Sequence, residues 1–245
     1  MKLKKSITIY RPVVWVTGAS RGIGKEIAKQ FASMGCVVCL SARKVKELHR
    51  VAGDIKDLGG QAHIFPMDVS KYKSIPIIHR KIRKKVGAVD ILVNNAGLTS
   101  FKLFLDTPWS SIHSIIQTNL IAPMLLSKEV LPYMIKKKKG SIFNIISMVV
   151  RGTYQGSSVY TASKSGLYGF GKVIREELRR HGIRVMNIIP GATETEIWHP
   201  KVRKKHGWRM MKAKSVAEAV LAAHNMPDDL VVEELILRPV LGDLN

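Results

Sequence analysis

A tyrosine and a lysine lie four residues apart in a segment whose pattern is helical. Tyr160 and Lys164 both fall within a helix predicted over residues 157–181. Side chains four residues apart share one face of a helix, so the phenol and the ammonium are expected to be neighbours. A tyrosine with its ordinary pKa of about 10 is a poor base at neutral pH, but a nearby ammonium favours the phenolate and lowers that pKa. The pair is therefore a candidate acid/base, the alternative being an ordinary pair on a helix surface.

A serine lies thirteen residues before this tyrosine, at the end of a predicted strand. Ser147 closes a strand predicted over residues 141–147. A hydroxyl in that position can donate a hydrogen bond to an oxygen on which negative charge develops. The alternative is a simple cap of the turn after the strand. Ser147 is therefore the third candidate catalytic residue.

A glycine-rich loop lies between the first predicted strand, over residues 13–17, and a helix predicted over residues 22–34. Glycines allow a tight turn and a close approach of the backbone to a pyrophosphate, and the first N–H groups of the helix face the anion. The spacing is G-x-x-x-G-x-G, and its position after the first strand favours a dinucleotide site over an ordinary turn. The predicted contacts of the loop are Gly18, Ser20, Arg21, Gly22, Ile23 and Gly24.

This glycine spacing resembles that of the short-chain dehydrogenase/reductase family, and further motifs of that family follow in the same order. The resemblance runs from Val13 to Arg238. It implies an oxidoreductase that moves a hydride between a nicotinamide ring and a carbonyl or secondary alcohol. The motifs are Asn94-Asn95-Ala96-Gly97 after the fourth predicted strand, Tyr160 with Lys164 as Y-x-x-x-K, and Pro190 to Thr195 as P-G-x-x-x-T.

The resemblance also implies a role for each site residue. Tyr160 would donate a proton to the carbonyl oxygen, Ser147 would hydrogen-bond that oxygen, and Lys164 would reach the ribose of the nicotinamide. Asn119, in a long helix predicted over residues 108–137, would hold a water that links the lysine to solvent. Its alternative is a bond to a neighbouring helix carbonyl. Further implied cofactor contacts are Asp68 (alternatively a helix cap), Val69, Asn95, Ala96, Gly97, Pro190, Gly191, Thr193 and Thr195.

The end of the second predicted strand indicates which nicotinamide cofactor binds. An acidic residue there would bond the adenosine ribose and repel a 2′-phosphate, but residues 40–44 contain no carboxylate. Arg43 and Arg21 can meet the phosphate as planar cations, and Ser41 can add a hydroxyl. The sequence therefore predicts NADPH as the cofactor. The alternative is that Arg43 and Lys44 are solvated residues at a helix start.

The segment over residues 198–214 corresponds to the substrate lid of the family. Trp198, Trp208 and Met211 are apolar side chains that can cover a substrate and exclude water. The same segment holds several lysines and arginines and no acid, which suits a substrate with an anionic group. The alternative is that these cations reflect the basic character of the whole chain. His199 and His206 lack metal-ligand spacing, so no metal is expected.

The elements that position these residues alternate regularly along the 245-residue chain. Short β-branched runs are separated by longer helical patterns, which predicts one Rossmann-like α/β domain over residues 1–245. Its sheet would be doubly wound and parallel, with about seven strands and helices on both faces. Ligands of such sheets bind beyond the carboxyl ends of the strands, where all the motifs above lie.

The net charge of +22 is the unusual global property. A solvated lysine-rich surface, an acidic partner and an anionic substrate all agree with it. No nucleic-acid partner is expected, because no nucleic-acid-binding motif accompanies the charge. No run reaches the roughly 20 apolar residues of a membrane span. No signal peptide is expected at the basic N-terminus. Cys36 and Cys39 lie in an apolar run, which favours buried thiols over a redox pair.

Several functions remain open from the sequence. A reductase of small carbonyl compounds is the first, a 3-oxoacyl-thioester reductase working on an acidic acyl carrier is the second, and a non-catalytic NADP-sensing protein is the third. The paired tyrosine and lysine disfavour the sensor, which needs neither. A cytoplasmic protein is expected because no signal peptide and no disulfide are predicted, and the resemblance implies a homodimer or homotetramer.

Overall fold

The computed structural model describes residues 10–244, so the basic N-terminal residues and the expectation about a signal peptide lie outside the described part. The strands are β1 Val13–Thr17, β2 Val37–Ser41, β3 Gln61–Ile64, β4 Ile91–Asn94, β5 Gly140–Ile145, β6 Ile183–Pro190, β7 Thr193–Glu194, β8 Met211–Lys212 and β9 Glu234–Leu237. The helices are α1 Gly22–Ser33, α2 Val45–Asp57, α3 Ser74–Val86, α4 Trp109–Ile116, α5 Ala122–Lys137, α6 Ser158–Leu178, α7 Pro200–His206 and α8 Ala213–His224.

Seven parallel strands form the main sheet in the order β3-β2-β1-β4-β5-β6-β9. Strand β1 shows why the sheet is covered on both faces, since all five of its residues are buried. Its alternate residues Val14 and Val16 pack towards α1, α2 and α8. Val13 and Trp15 pack on the opposite face, towards α3, α5 and α6. The predicted doubly wound α/β fold is therefore confirmed.

The helix predicted over residues 108–137 is interrupted in its middle. Helix α4 ends at Ile116, a π-helical turn covers Gln117–Ile121, and α5 begins at Ala122. Pro123, in the first turn of α5, has no N–H to donate to the carbonyl four residues back, and the wider turn accommodates this gap. Pro76 does not bend α3, because the helix starts only at Ser74 and the proline lies in its first turn.

Three buried asparagines form a ladder across the middle of the sheet. Asn94, Asn144 and Asn187 are aligned on β4, β5 and β6. The amide of Asn94 donates to Asn144 Oδ1 at 3.0 Å, and the amide of Asn144 donates to Asn187 Oδ1 at 3.2 Å. Gly171 of α6 lies directly over the ladder, and a Cβ there would be 2.3 Å from Asn187 Oδ1. A glycine is therefore required at this helix–sheet contact.

The last strand is held by charged groups at its N-terminal end. The buried Arg175 donates to the carboxylate of Glu233 at 3.0 Å and to its carbonyl at 2.7 Å. Arg151 donates to the carboxylate of Glu234 at 2.6 Å, and the Tyr168 hydroxyl donates to the same carboxylate. These bonds fix β9 against α6 and the turn after β5.

The segment after β9, residues 238–244, folds back over the carboxyl edge of the sheet. The backbone N–H of Gly191 donates to the carbonyl of Leu237 at 2.7 Å. The guanidinium of Arg209 donates to the Leu241 carbonyl at 3.0 Å, and Arg238 forms an ion pair with Asp243 at 2.9 Å. We call residues 238–244 the tail.

Both cysteines are buried, free thiols in and beside β2. Burial raises the pKa of Cys36 to about 11 and raises the pKa of Cys39 further. Raised pKa values make both thiols poor nucleophiles at neutral pH. The prediction that both cysteines are buried thiols is confirmed.

Many of the basic residues lie on outward faces of helices. The last turn of α3 carries Arg83, Lys84 and Lys85, and the last turn of α5 carries Lys136 and Lys137. Cations at these positions face the carbonyl ends of the helices, where they are favourable. None of the helices within residues 10–244 combines the length and the apolar character that crossing a bilayer requires.

Candidate active site

A cavity of about 500 Å³ opens at the carboxyl ends of the strands. The sheet order reverses between β1 and β4, and this is the point where doubly wound sheets bind their ligands. The cavity is lined by nineteen of the predicted site residues: Gly18, Ser20, Arg21, Gly22, Ile23, Arg43, Asp68, Val69, Asn95, Ala96, Gly97, Ser147, Tyr160, Lys164, Pro190, Gly191, Thr193, Thr195 and Trp198. Residues distant in the sequence are thus brought to one place.

The glycine loop has the geometry of a cradle for an anion. Gly18 and Gly22 have φ angles of 64° and 55°, which glycine adopts without strain. A Cβ on Gly18 would lie 2.9 Å from the Cα of Ala96, so only glycine leaves room for the backbones to approach. No side chain caps the N-terminus of α1, and its first N–H groups remain available to a ligand. These features fit the pyrophosphate of a dinucleotide.

Gly24, the third glycine of the loop, does not line the cavity as Gly18 and Gly22 do. A Cβ there would lie 2.3 Å from the side-chain amide of Asn95. That amide in turn donates to the carbonyl of Thr17 at 2.9 Å and to that of Gly18 at 3.2 Å. Gly24 therefore lets α1 approach the end of β4, and the predicted direct contact with a cofactor is not supported.

The end of β2 presents cations to the cavity but not the predicted hydroxyl. Arg43 and Arg21 are exposed and line the wall. Ser41 is fully buried, donates to the Phe65 carbonyl at 2.8 Å and accepts from the Trp15 indole at 3.0 Å. The predicted role of Ser41 is wrong, because β2 turns this side chain towards the β1 and β3 core.

A carboxylate that the sequence analysis did not consider lies near these arginines. Glu47, in the first turn of α2, lines the cavity. Its Oε1 atom accepts from Lys44 at 3.0 Å, and its Oε2 atom has no partner among the described residues. Its position one turn into α2 is the only signal that could have found it.

Asp68 caps a turn and also lines the cavity. Its Oδ1 atom accepts from the backbone N–H of Ser70 at 3.0 Å and from the Ser70 hydroxyl at 2.7 Å. The side chain also lines the cavity, next to Val69. It therefore caps the turn before α3 and still faces the ligand space.

The three candidate catalytic side chains meet at the inner end of the cavity. Tyr160 and Lys164 are both buried, and Ser147 is half-buried where β5 ends. The Lys164 ammonium donates to the Ile145 carbonyl at 2.7 Å and lies 6.0 Å from the centre of the Tyr160 ring. The helical spacing thus places phenol and ammonium on one face of α6, as predicted.

The pKa of Tyr160 is shifted in the direction opposite to the predicted one. Burial raises the pKa of Tyr160, and the hydroxyl of Ser147 only partly opposes this effect. Burial also lowers the pKa of Lys164 to about 8. Desolvation therefore sets the direction of the shift in the tyrosine pKa, and the prediction of a lowered pKa is wrong. A phenol that keeps its proton at neutral pH suits a proton donor.

Asn119 lies in the π-helical turn and holds a neighbouring segment. Its Oδ1 atom accepts from the Leu98 N–H at 2.8 Å, and its amide donates to the Leu98 carbonyl at 2.8 Å. The amide also donates to the Ser163 hydroxyl at 3.0 Å. The side chain is fully buried and does not line the cavity. It fixes the chain after Gly97, and its predicted water-holding role stays a prediction.

An aromatic pair lies beside Tyr160, the candidate acid. The rings of Phe101 and Trp198 are stacked, with centres 5.9 Å apart and planes at 10°. Phe101 is also 6.4 Å from the Tyr160 ring, and the indole N–H of Trp198 donates to the Thr193 carbonyl at 3.0 Å. Phe101 was missed by the sequence analysis, although an aromatic residue four positions after Gly97 was a usable signal.

Most of the predicted lid lies away from the cavity. Trp208 is 74% exposed, and Met211 belongs to the small sheet of β7 and β8; neither lines the wall. Among the lid cations, Lys212 pairs with Glu194 and Lys214 with Glu218. No lysine or arginine of residues 198–214 lines the cavity. The lid therefore gives no support to the predicted anionic substrate.

The wall contains further polar residues that the sequence analysis missed. They come from the turn after β4, the loop after β5, the chain after β7 and the tail, and they are Thr99, Tyr154, Glu196 and Asp243. Their sequence neighbourhoods match no motif, so only the fold brings them to the cavity.

The sequence is similar to those of known dehydrogenases and reductases. Residues 12–206 match the family model described as short chain dehydrogenase. The chain is 33% identical over 237 residues to dehydrogenase/reductase SDR family member 7 of Mus musculus, with 95% of this chain and 68% of that protein covered. The Homo sapiens protein of the same name is 37% identical over 190 residues, and only 56% of its length is covered.

Two further similarities cover nearly whole chains. A 3-oxoacyl-[acyl-carrier-protein] reductase of Homo sapiens is 34% identical over 209 residues, with 85% of this chain and 86% of that protein covered. A metagenomic short-chain oxidoreductase, solved in complex with NADP, superposes with a TM-score of 0.83 at 33% identity. That superposition covers 94% of this chain and 97% of the solved one.

Proposed function

The chain belongs to the short-chain dehydrogenase/reductase family of oxidoreductases, and we propose that it uses NADP(H) to interconvert a carbonyl compound and a secondary alcohol. One observation carries this proposal. Tyr160, Lys164 and Ser147 line the same cavity as the glycine cradle. A protein that only sensed the cofactor would need the cradle without the buried acid.

The chemistry supplied by a bound reduced nicotinamide is a hydride for the carbonyl carbon. The Tyr160 phenol donates its proton to the carbonyl oxygen, which completes the alcohol. The Ser147 hydroxyl donates a hydrogen bond to the same oxygen and stabilises the charge that develops there. Lys164 holds a positive charge beneath the tyrosine, and Asn119 would relay the proton to solvent through a water.

The choice of NADP over NAD is supported by the charge around the end of β2. Arg21 and Arg43 line this part of the wall, and residues 40–44 contain no carboxylate. Glu47 is the one acidic side chain of α2 on the wall, and Lys44 neutralises one of its oxygens. The similar oxidoreductase solved with NADP points the same way.

Steady-state oxidation of NADPH and NADH in the presence of ketones, keto acids and β-ketoacyl thioesters tests the proposal. We expect kcat/KM to be at least about tenfold higher with NADPH. Tyr160→Phe should lower kcat by about 100-fold to 10,000-fold, because it removes the proton donor while NADPH binding is retained. Equal turnover of NADH would contradict the NADP assignment. Tight NADPH binding without turnover of any carbonyl compound would favour the sensor.

Reduction of 3-oxoacyl thioesters on an acyl carrier is a second candidate. It is favoured by the similarity to the human 3-oxoacyl-[acyl-carrier-protein] reductase and by the net charge of +22, which would attract an acidic carrier. Kinetics on the same acyl group attached to carrier or to pantetheine distinguish the two. A preference for the carrier that declines with added salt would support this candidate, and equal rates would exclude it.

A further inference from the structure

We propose that Asp243 is a specificity-determining residue, which binds a cationic or other N–H or O–H donor group of the substrate. The inference rests on the proposed function, because it assigns a partner within the same cavity. Asp243 belongs to the tail and lines the cavity. No motif points to it, and it became visible only because the tail returns to the carboxyl edge of the sheet.

The two carboxylate oxygens of Asp243 have different surroundings. Oδ2 forms an ion pair with Arg238, whose Nη2 and Nε atoms lie at 2.9 Å and 3.0 Å. Oδ1 is shielded from bulk water and has no hydrogen-bond partner among the described residues. The side chain is only 9% exposed. A shielded carboxylate oxygen without a donor is costly, so an arriving donor recovers free energy there.

The Oδ1 atom lies where the cavity wall is formed by the chain after β6. Asp243 lies against Gly191, where a Cβ would be only 2.4 Å from Oδ1. Gly191 directly follows β6, and the Gly191 N–H is held by the Leu237 carbonyl, so tail and strand are in fixed register. Tyr154 lies close enough for Asp243 to raise the pKa of its hydroxyl, although burial raises that pKa more. Both side chains line the wall.

The cavity thus has an apolar and a polar part. Phe101 and Trp198 supply stacked rings beside Tyr160. Asp243, Tyr154 and Thr99 supply polar atoms, and the Thr99 hydroxyl also has no partner among the described residues. The substrate that fits has a ring or acyl portion and a donor group, for example an amine. This charge preference is opposite to the anionic substrate predicted from the lid.

Four ketones that share one aromatic ring test the proposal. They are α-aminoacetophenone, α-hydroxyacetophenone, propiophenone and benzoylacetate, which carry a cationic, a neutral donor, an apolar and an anionic group. We expect the ratio of kcat/KM for the amine to that for propiophenone to exceed one, and the ratio for benzoylacetate to be below one. Asp243→Asn should lower the first ratio about tenfold to a hundredfold, because the charged partner is lost.

Two control variants separate recognition from structure. Arg238→Gln breaks the ion pair and keeps the carboxylate, so it should retain the preference for the amine. Asp228→Asn removes an exposed carboxylate that pairs with Lys139, and neither residue lines the cavity. This variant should leave the kcat/KM ratios as in the wild type. The proposal would be overturned if Arg238→Gln abolished the preference for the amine as Asp243→Asn does. It would also be overturned if the wild type had the same kcat/KM for all four ketones.

Calorimetric binding of phenylethanolamine to the wild type and to Asp243→Asn gives a readout that needs no turnover. Weaker binding to the variant supports the proposal even if no ketone is reduced, which would sink only the proposed function. Reduction of ketones with unchanged amine binding would sink the Asp243 assignment alone. The dissociation constant of NADPH, measured by fluorescence, should be the same for both proteins; a weakened NADPH complex would mean that Asp243 serves the cofactor instead.

Discussion

Lys164 shows the cost of burying a lysine side chain. The side chain is buried, and burial lowers its pKa from 10.5 to about 8. A lowered lysine pKa means that the folded protein disfavours the charged form. Its contribution to stability is therefore unfavourable below pH 8 and improves as the pH rises from about 8 towards the unfolded pKa of 10.5.

Replacement of this lysine by an apolar residue of similar shape should stabilise the protein. Lys164→Met removes a penalty of at most about 3 kcal/mol at pH 7 and gives up the hydrogen bond to Ile145, worth about 1 kcal/mol. We expect a gain of about 1–2 kcal/mol in the free energy of unfolding, with loss of NADPH oxidation. Urea unfolding at pH 7 and at a pH near 10.5 checks this. The gain should shrink at the higher pH, and a less stable variant at pH 7 would contradict the argument.

Arg43 should select between the two nicotinamide cofactors. It is exposed on the cavity wall at the end of β2, where a 2′-phosphate would lie. Arg43→Ala should raise the KM for NADPH about tenfold to a hundredfold and change the KM for NADH little, because only the phosphate contact is lost.

Lys46→Ala is the matched control for this variant. Lys46 is exposed on α2 three residues along and does not line the cavity. Lys46→Ala removes the same charge but no contact with the 2′-phosphate, so the KM of this variant for NADPH should stay near the wild-type value. An equal effect of both variants would show that the arginine acts only through long-range charge.

At the scale of elements, helix α6 offers two glycines two residues apart with opposite expectations. A Cβ at Gly171 would lie 2.3 Å from Asn187 Oδ1 and 2.8 Å from the Asn144 amide, whereas a Cβ at Gly169 meets nothing within 4 Å. Gly171→Ala should destabilise the protein by about 1–3 kcal/mol through overpacking. Gly169→Ala should stabilise it by about 0.5–1 kcal/mol, because alanine is the better helix former. Urea unfolding midpoints that shift in the same direction would contradict this account.

The elements themselves were largely predictable. Strand β1 begins and ends where it was predicted, because a buried parallel strand is a continuous apolar run between turns. The π-helical turn was not predictable from periodicity, since a wider turn shifts the pattern by only one residue. Pro123 was the local signal, but it fits a kink as well as a helix start.

The site was predictable only as far as its motifs extend. Tyr160, Lys164 and the glycine loop have fixed spacings in local elements, and the structure brings them to one cavity. Ser41 was misassigned because the direction of its side chain depends on how β2 pairs with β1 and β3. Asp243 escaped detection because its approach to Gly191 joins positions 52 residues apart through a tail without any pattern. Contacts of this kind follow from the fold and not from local sequence.

At the scale of the whole molecule, the excess of 40 lysines and arginines over 18 acids must produce self-repulsion. Twelve ion pairs of lysines and arginines within the described residues relieve only part of it. We expect Tm to rise when NaCl is increased from about 0.01 M to about 0.15 M, because the Debye length falls from about 30 Å to about 8 Å. Calorimetry in NaCl and in KCl separates screening from a specific ion effect. A Tm that falls or stays constant would mean that favourable ion pairs dominate.

The docking of β9 and the tail onto β6 also matters for the folding of the protein. This strand pairs only with β6, and the tail that follows it supplies one wall of the cavity. Before residues 233–244 dock, β6 is an open edge with unpaired backbone groups, which invites association with other chains. The ability to bind ligand therefore depends on the docking of residues 233–244, and a ligand that binds only the finished cavity would favour the docked state.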